Sequence, residues 1–546
     1  MDMDKLLTNK KYKALAPVVK FLIQEDVMKH VTYLDKFMSA LKALVIKPYL
    51  RTHYGENIMK ILLVRDALSR FPHEKKPNDI PEEVTERYRY HFAAWTLWLQ
   101  HKNKVYIPLQ KVCAIVHEYD LDFDKFCQFI RKHLEKKLYT LVDLAFCEEY
   151  ISKLFTSSTL QANKQIPYID NLDQHQNNIL QLVVTSRFSI LIGGAGVGKT
   201  TTVSELIRIL LDDPLMSVFC LAFTHKAKHC LQDKLPSTEE YPNLNVMTIH
   251  SFILTHKSSS LPTKCFIIVD ESSMVDLELM GELANLLLSS ESYYQILMVG
   301  DHMQLPPIGR AEVFRLAVDQ HPNVHKLEHC YRVDKHDLFE AYQDIRNGKL
   351  PKKSENVDIN IAESDKSTNS LIGKLIYQNY NPSKSQIIAW QNKDVFKINK
   401  WVQAMLVKTG QVGPESFKEY YLNDNVVYTG ENSETCTNAL LGRITKVNTN
   451  SIEIAWKNER TSTLTQVQDI GLAYCMTVHK SQGSEYDHVI VPCYDVQKMK
   501  GCLDRRWLYT ASTRAKKSLK IIATSDIVEF IEQPINNMPV TNIRVV

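Results

Sequence analysis

The residues best equipped for chemistry are Gly193-Gly194-Ala195-Gly196-Val197-Gly198-Lys199-Thr200, a complete G-x-x-x-x-G-K-T run. Glycines in such a run let backbone N–H groups turn inward around phosphate oxygens. The lysine neutralises the β and γ oxygens, and the threonine hydroxyl suits Mg²⁺. Gly193 to Thr201 are therefore candidates to cradle a nucleoside triphosphate, with Lys199 acting on its phosphates and Thr200 on the metal. Further on, the apolar run Cys265-Phe266-Ile267-Ile268-Val269 delivers two adjacent carboxylates, Asp270 and Glu271. Asp270 suits the Mg²⁺ shell, and Glu271 suits orienting and deprotonating an attacking water.

This chemistry needs strands that end where the polar residues begin. Ser189-Ile190-Leu191-Ile192 reads as a buried strand leading into the glycine-rich loop. From about residue 181 onward, short apolar runs ending in Gly, Asp or Thr alternate with helical patterns, as an α/β fold requires. Earlier the texture differs: Gly55 is the only glycine before Gly193, and the segment is dense in Leu, Lys, Glu and aromatic residues. Asp122 to Leu134 and Val142 to Phe155 place apolar residues at the three- and four-residue spacings of helices packing one face inward. Residues 71–83, FPHEKKPNDIPEE, read as a loop between helical groups.

Composition narrows the classes. A chain of 546 residues, 44% hydrophobic, implies several domains. It contains no stretch near the roughly 18 uncharged apolar residues of a membrane span, and MDMDKLLTNKKYK lacks the apolar segment of a secretion signal. The expectation is an intracellular, cytoplasmic protein without a membrane partner. Eleven cysteines occur without a C-x-x-C pair, so reduced thiols are expected rather than zinc or a disulfide framework. A net charge of +4 does not decide the partner.

A third apolar run, Ile296-Leu297-Met298-Val299, ends in Gly300-Asp301-His302-Met303-Gln304-Leu305-Pro306-Pro307, and with this motif the sequence resembles superfamily one helicases. The resemblance is to the RecD-like group, which travels 5′ to 3′, and it runs from about residue 170 to 525. It implies that Gln176, in Leu172-Asp173-Gln174-His175-Gln176, meets the adenine edge, and that Gln304 senses the γ-phosphate. Arg332, in Tyr331-Arg332, and Arg514, in Trp507-Leu508-Tyr509-Thr510-Ala511-Ser512-Thr513-Arg514, become arginine fingers. Thr224 in Ala222-Phe223-Thr224-His225-Lys226-Ala227, and Thr248 and His250 in Thr248-Ile249-His250-Ser251-Phe252, are implied to contact a nucleic-acid strand. Phe223 departs from the proline common in the group. In Ala473-Tyr474-Cys475-Met476-Thr477-Val478-His479-Lys480-Ser481-Gln482-Gly483-Ser484-Glu485, Thr477 and His479 would face the strand, and Gly483 and Glu485 the nucleotide.

The resemblance implies two RecA-like motor domains, at 156–330 and at 331–410 with 471–546. A small SH3-like β insertion is expected at 411–470 and a helical N-terminal domain at 1–155, a candidate for docking a protein partner. A wedge hairpin is expected near 253–265. The implied activity is an ATP- and Mg²⁺-dependent helicase acting on single-stranded DNA and duplex junctions, in repair, recombination or replication. An RNA-directed motor, or an ATPase subunit of a RecBCD-like complex dependent on its partners, are the alternatives the residues leave open.

Overall fold

The computed structural model describes residues 104–118, 121–132, 138–157, 165–329, 336–364, 380–430, 439–457, 460–538 and 540–544. Individual positions within 90–97 and 370–374 are described as well. Two parallel sheets organise them. The first contains β1 (Phe188–Gly193), β2 (Ser217–Ala222), β3 (Leu244–Thr248), β4 (Lys264–Val269), β5 (Tyr293–Gly300) and β6 (Val324–Leu327), in the spatial order β3-β2-β4-β5-β1-β6. Its strands are almost continuously apolar because both faces are covered. Ile190, Ile192, Ile267, Val269, Ile296 and Met298 enter one core, while Leu191, Ile268, Leu297 and Val299 enter the other. The order places β1 beside β5 and β5 beside β4, so the chain leaves three neighbouring strands at one edge through the glycine loop, Asp270-Glu271 and Asp301 to Gln304. Open α/β sheets present their ligands at such a carboxyl edge.

The second sheet begins with β7 (Val357–Ala362) and β8 (Ser385–Ala389). The chain then builds an antiparallel unit from β9 (Asn425–Tyr428), β10 (Leu441–Val447), β11 (Ile452–Trp456), β12 (Thr461–Leu464) and β13 (Ile470–Leu472), ordered β12-β11-β10-β9-β13. Alternation at Ile452, Ile454 and Trp456 gives this unit its own small core with Val426 and Ile444. The chain returns with β14 (Cys475–Thr477), β15 (Tyr486–Cys493) and β16 (Ala515–Thr524), completing a parallel sheet ordered β7-β16-β15-β8-β14.

Among the described residues before 156, the chain is less uniformly helical than its composition suggests. Residues 142–155 do form a helix, α1 (Val142–Phe155). The segment from Asp122 does not: a short helix capped by the Asp122 carboxylate gives way to strand Ile130–Lys132, which pairs with Leu138–Leu141. Cross-strand pairing outweighs local helix spacing there. Tyr90, Ala93, Ala94 and Leu97 are helical and buried in the same core as β1 and β4, so these positions pack on the first sheet. Helix α1 lies against α6 (Leu277–Leu288), where a Cβ on Gly281 would stand 2.6 Å from the Cβ of Cys147. Gly281→Ala is therefore expected to destabilise the chain by about 1–3 kcal/mol, read as a lower denaturant midpoint. An unchanged midpoint would mean that α1 does not dock there.

The expected wedge hairpin is absent. Residues 253–257 of that segment belong to helix α5 (Ile249–Lys257), a strandless connection spans 258–263, and β4 begins at Lys264. Ile253 packs inward with Ile249 and Phe252, all buried, and only six residues without a strand remain before β4.

Candidate nucleotide site and strand-facing surface

The phosphate loop is shaped by its glycines. Gly196 and Gly198 have φ of 80° and 81°, in the left-handed region that disfavours side chains. Gly198 opens helix α3 (Lys199–Leu211), so the loop's N–H groups and the positive end of the helix point to one place. Gly198→Ala is expected to cost about 1–2 kcal/mol of loop conformation and to weaken nucleotide affinity, measured by titration with a fluorescent nucleotide. An unaltered affinity would show that this backbone geometry is dispensable.

Lys199 folds over the loop, its Nζ donating to the carbonyls of Gly193 at 2.6 Å and Gly194 at 2.8 Å. Burial pulls its pKa below the ordinary lysine value, opposed by the carboxylates of Asp301, Glu271 and Asp270. Burial first, and then the adjacent Glu271 charge, push Asp270 above the usual carboxylate range. Glu271 sits at φ 50°, an uncommon conformation for a side-chain-bearing residue.

Around these groups lies a cavity of about 740 Å³. Gly194, Ala195, Gly196, Val197, Gly198, Lys199, Thr200 and Thr201 line one side, Asp270, Glu271 and Gln304 another, and Gly483, Glu485 and Arg514 come from the segments that lead into β15 and β16 of the second sheet. Gly193 lies at the back of the loop. A hydroxyl at Thr200 and a carboxylate at Asp270 are the sparse oxygen set through which Mg²⁺ bound to nucleotide phosphates is held, so the donors fit that ion. Gln176 also lines the cavity, in a capping box: its Oε1 accepts from the N–H of Asp173 at 3.1 Å, and its Nε2 donates to Thr202 at 3.0 Å. Each end of the amide retains one further hydrogen-bonding position, although the residue is only 3% exposed. Arg332 lies outside the described residues.

The two sheet-bearing halves of the chain meet along helix α12 (Arg506–Ser512). Arg514, just past its end, donates from Nη2 to Gln304 Oε1 at 3.4 Å and from Nε to the Thr510 carbonyl at 3.2 Å. The Leu305 N–H donates to Thr510 Oγ1 at 2.9 Å, and Tyr509 donates its hydroxyl to Asp301 at 2.7 Å. Burial, and then the Asp301 charge, raise the Tyr509 pKa well above its ordinary value, so it stays a donor. Asp301 and Tyr509 are functional candidates that motif reading passed over. Both lay inside quoted motifs, but their pairing spans 208 residues and only the fold discloses it.

The expected strand contacts share one local design: Thr224, Thr248 and Thr477 each cap a helix. Thr224 accepts from Ala227 N–H at the start of α4 (His225–Gln232), and Thr477 from Lys480 N–H at the start of α10 (Val478–Ser481). Capping uses the oxygen as acceptor and leaves the O–H to donate, which suits a phosphate at a helix N-terminus. Thr248 differs: it is 4% exposed, and its hydroxyl is taken up by Ser251, so exposed His250 is the group its motif presents. His479 is also exposed. Lys226 on α4 donates to the Lys480 carbonyl on α10 at 2.9 Å, joining two of these helices across the domains.

Comparison with known proteins gives two family matches, an AAA domain over residues 171–362 and a UvrD-like helicase C-terminal domain over 472–522. The ATP-dependent RecD2 DNA helicase of Deinococcus radiodurans is 26% identical over 359 residues, covering 63% of this chain and 48% of the relative. The RecBCD enzyme subunit RecD of Buchnera aphidicola is 22% identical over 504 residues, covering 75% of this chain and 80% of the relative. The chain spans about half the length of several curated relatives that it matches. Among solved structures, a Bacteroides Pif1 helicase with ADP-AlF3 and single-stranded DNA aligns at 18% identity with a TM-score of 0.43, covering 67% of this chain and 95% of that one.

Proposed function

We propose that the chain is a RecD-like helicase of superfamily one that hydrolyses ATP to move along single-stranded DNA, 5′ to 3′, and to open duplex junctions. The observation that carries this reading is the composite cavity, in which Lys199, Asp270 and Glu271 of one domain face Arg514 of the other.

Lys199 and the loop N–H groups hold the β- and γ-phosphates, and Glu271 orients the attacking water and takes its proton. Mg²⁺ held by Thr200 and Asp270 would supply charge neutralisation on the phosphate oxygens. Arg514, and Arg332 from its motif, meet charge developing on the transferring phosphoryl group. Gln304 accepts from Arg514 and donates its backbone N–H to the carbonyl of Asp301, the residue after β5, so loss of the γ-phosphate becomes a change in how the two domains fit. Thr224, His250, Thr477 and His479 grip the strand, and the antiparallel insertion, read as SH3-like, flanks its channel. If the two sets of grips tighten alternately, each cycle advances the chain along the polymer. Among the described residues no helix is long and apolar enough to cross a membrane. We extend the reading to a role in repair or recombination, supported by a relative named as a RecBCD enzyme subunit, and to a protein partner on the N-terminal region, as the family resemblance implies.

Steady-state hydrolysis measured with no polymer, single-stranded DNA or single-stranded RNA tests it, with Lys199→Ala as the control for contaminants. Stimulation by DNA that vanishes in the variant is expected. Stimulation by RNA alone would make the chain an RNA motor, and Lys199-dependent hydrolysis indifferent to both would point to an ATPase that serves a partner.

A further inference from the structure

Helix α12 begins with an arginine that the motifs do not single out. Arg506 is 2% exposed, and its guanidinium is shared between two carboxylates. Asp504, from its own domain, accepts from Nε at 3.0 and 3.1 Å and from Nη2 at 2.9 Å. Glu312 lies in the first motor domain, at the start of α7 (Val313–Gln320). One of its oxygens accepts from Nη2 at 3.2 Å and the other from Nη1. Arg315 also donates to Glu312, at 3.4 Å, and the N–H of Asn536 donates to Asp504 at 3.2 Å, so both carboxylates are held from a second side.

From this anchor the helix leads directly to the nucleotide cavity. Thr510 donates its hydroxyl to the Arg506 carbonyl at 2.7 Å, and Arg514 Nε donates to the Thr510 carbonyl. The two arginines stand eight residues apart, about 12 Å along a helix axis. We propose that Arg506, through Glu312, is a positioning residue for hydrolysis: it fixes the register of α12 against the first motor domain so that Arg514 meets Gln304 at the cavity. The assignment rests on the ATP-driven function proposed above.

Arginine is suited to this task because its planar fork holds two carboxylates in fixed directions, whereas a lysine offers a compact charge without that geometry. Parting Glu312 from Arg506 would strip a buried guanidinium of one of its two carboxylates, so this edge of the cleft stays joined through the cycle. The strand-facing edge is tied by Lys226, on an exposed bond to a backbone carbonyl, and parts at smaller cost. Cleft opening thus pivots about the Arg506 edge.

The test compares Arg506→Lys and Glu312→Gln, each alone and combined with Arg514→Ala, in single-turnover hydrolysis of labelled ATP with single-stranded DNA. Nucleotide affinity and unfolding midpoints are measured alongside, and Arg506→Lys carries the result if Glu312→Gln fails to fold. With Arg514 present, the expected loss of turnover is about 10²-fold, the scale of a misplacement near 1 Å, with nucleotide affinity unchanged. With Arg514 removed, neither substitution should lower turnover further. Equal losses in both backgrounds, unchanged turnover, or a loss confined to nucleotide affinity would overturn the assignment. If the unsubstituted chain does not hydrolyse ATP, the motor reading falls and this assignment falls with it.

Discussion

Arg514→Ala is expected to lower DNA-stimulated ATP turnover by about 10³- to 10⁵-fold, the range for loss of an arginine finger. Arg514 enters the cavity from the second domain, and the glycine loop and Lys199 that hold the phosphates belong to the first. Nucleotide binding should therefore survive while the transition state loses a positive charge in a water-poor cleft. The helix that carries Arg514 keeps its bonds through Tyr509, Thr510 and Arg506, so the fold should also persist. Rapid-quench hydrolysis together with nucleotide titration checks both halves. A large fall in affinity with normal turnover of the bound nucleotide would mean that Arg514 serves binding.

Glu271→Gln should reduce hydrolysis by about 10²- to 10⁴-fold, the contribution of a positioned general base. Glutamine keeps the size of the side chain and can still hold a water, but it cannot take the proton. The left-handed backbone at position 271, φ 50°, is set by the turn between β4 and the 3₁₀ segment Ser272–Met274, and that turn does not depend on the carboxylate charge. The variant should therefore bind ATP and single-stranded DNA and accumulate as the ATP complex. Co-sedimentation of labelled, unhydrolysed ATP with the protein would show that state. Turnover near that of the unsubstituted chain would remove Glu271 from the role of base.

Much of the site is legible in sequence because its groups are local. The phosphate loop is one uninterrupted run, and Asp270-Glu271 directly follow the apolar residues that bury β4 on both faces. What could not be read is whatever depends on the meeting of distant segments. Asp122 to Leu134 has helical spacing, yet its end is drawn into a sheet by Leu138–Leu141. Thr248 looks like a phosphate-facing hydroxyl until the cap with Ser251 is seen to bury it. The residues near 253–265 looked available for a wedge, but their apolar side chains belong to α5 and the core of the first sheet. Arg506 and Glu312 are separated by 194 residues, and neither stands out by type, so their pairing has no sequence signature.

If hydrolysis at the cleft between the two domains moves the chain along a single strand, the movement should clear obstacles from that strand. Displacement of streptavidin from end-biotinylated oligonucleotides tests this without requiring a duplex. ATP-dependent release is expected from the 3′ end, the destination of 5′ to 3′ travel, and none with Glu271→Gln. Brisk DNA-stimulated hydrolysis with streptavidin retained at both ends would contradict it.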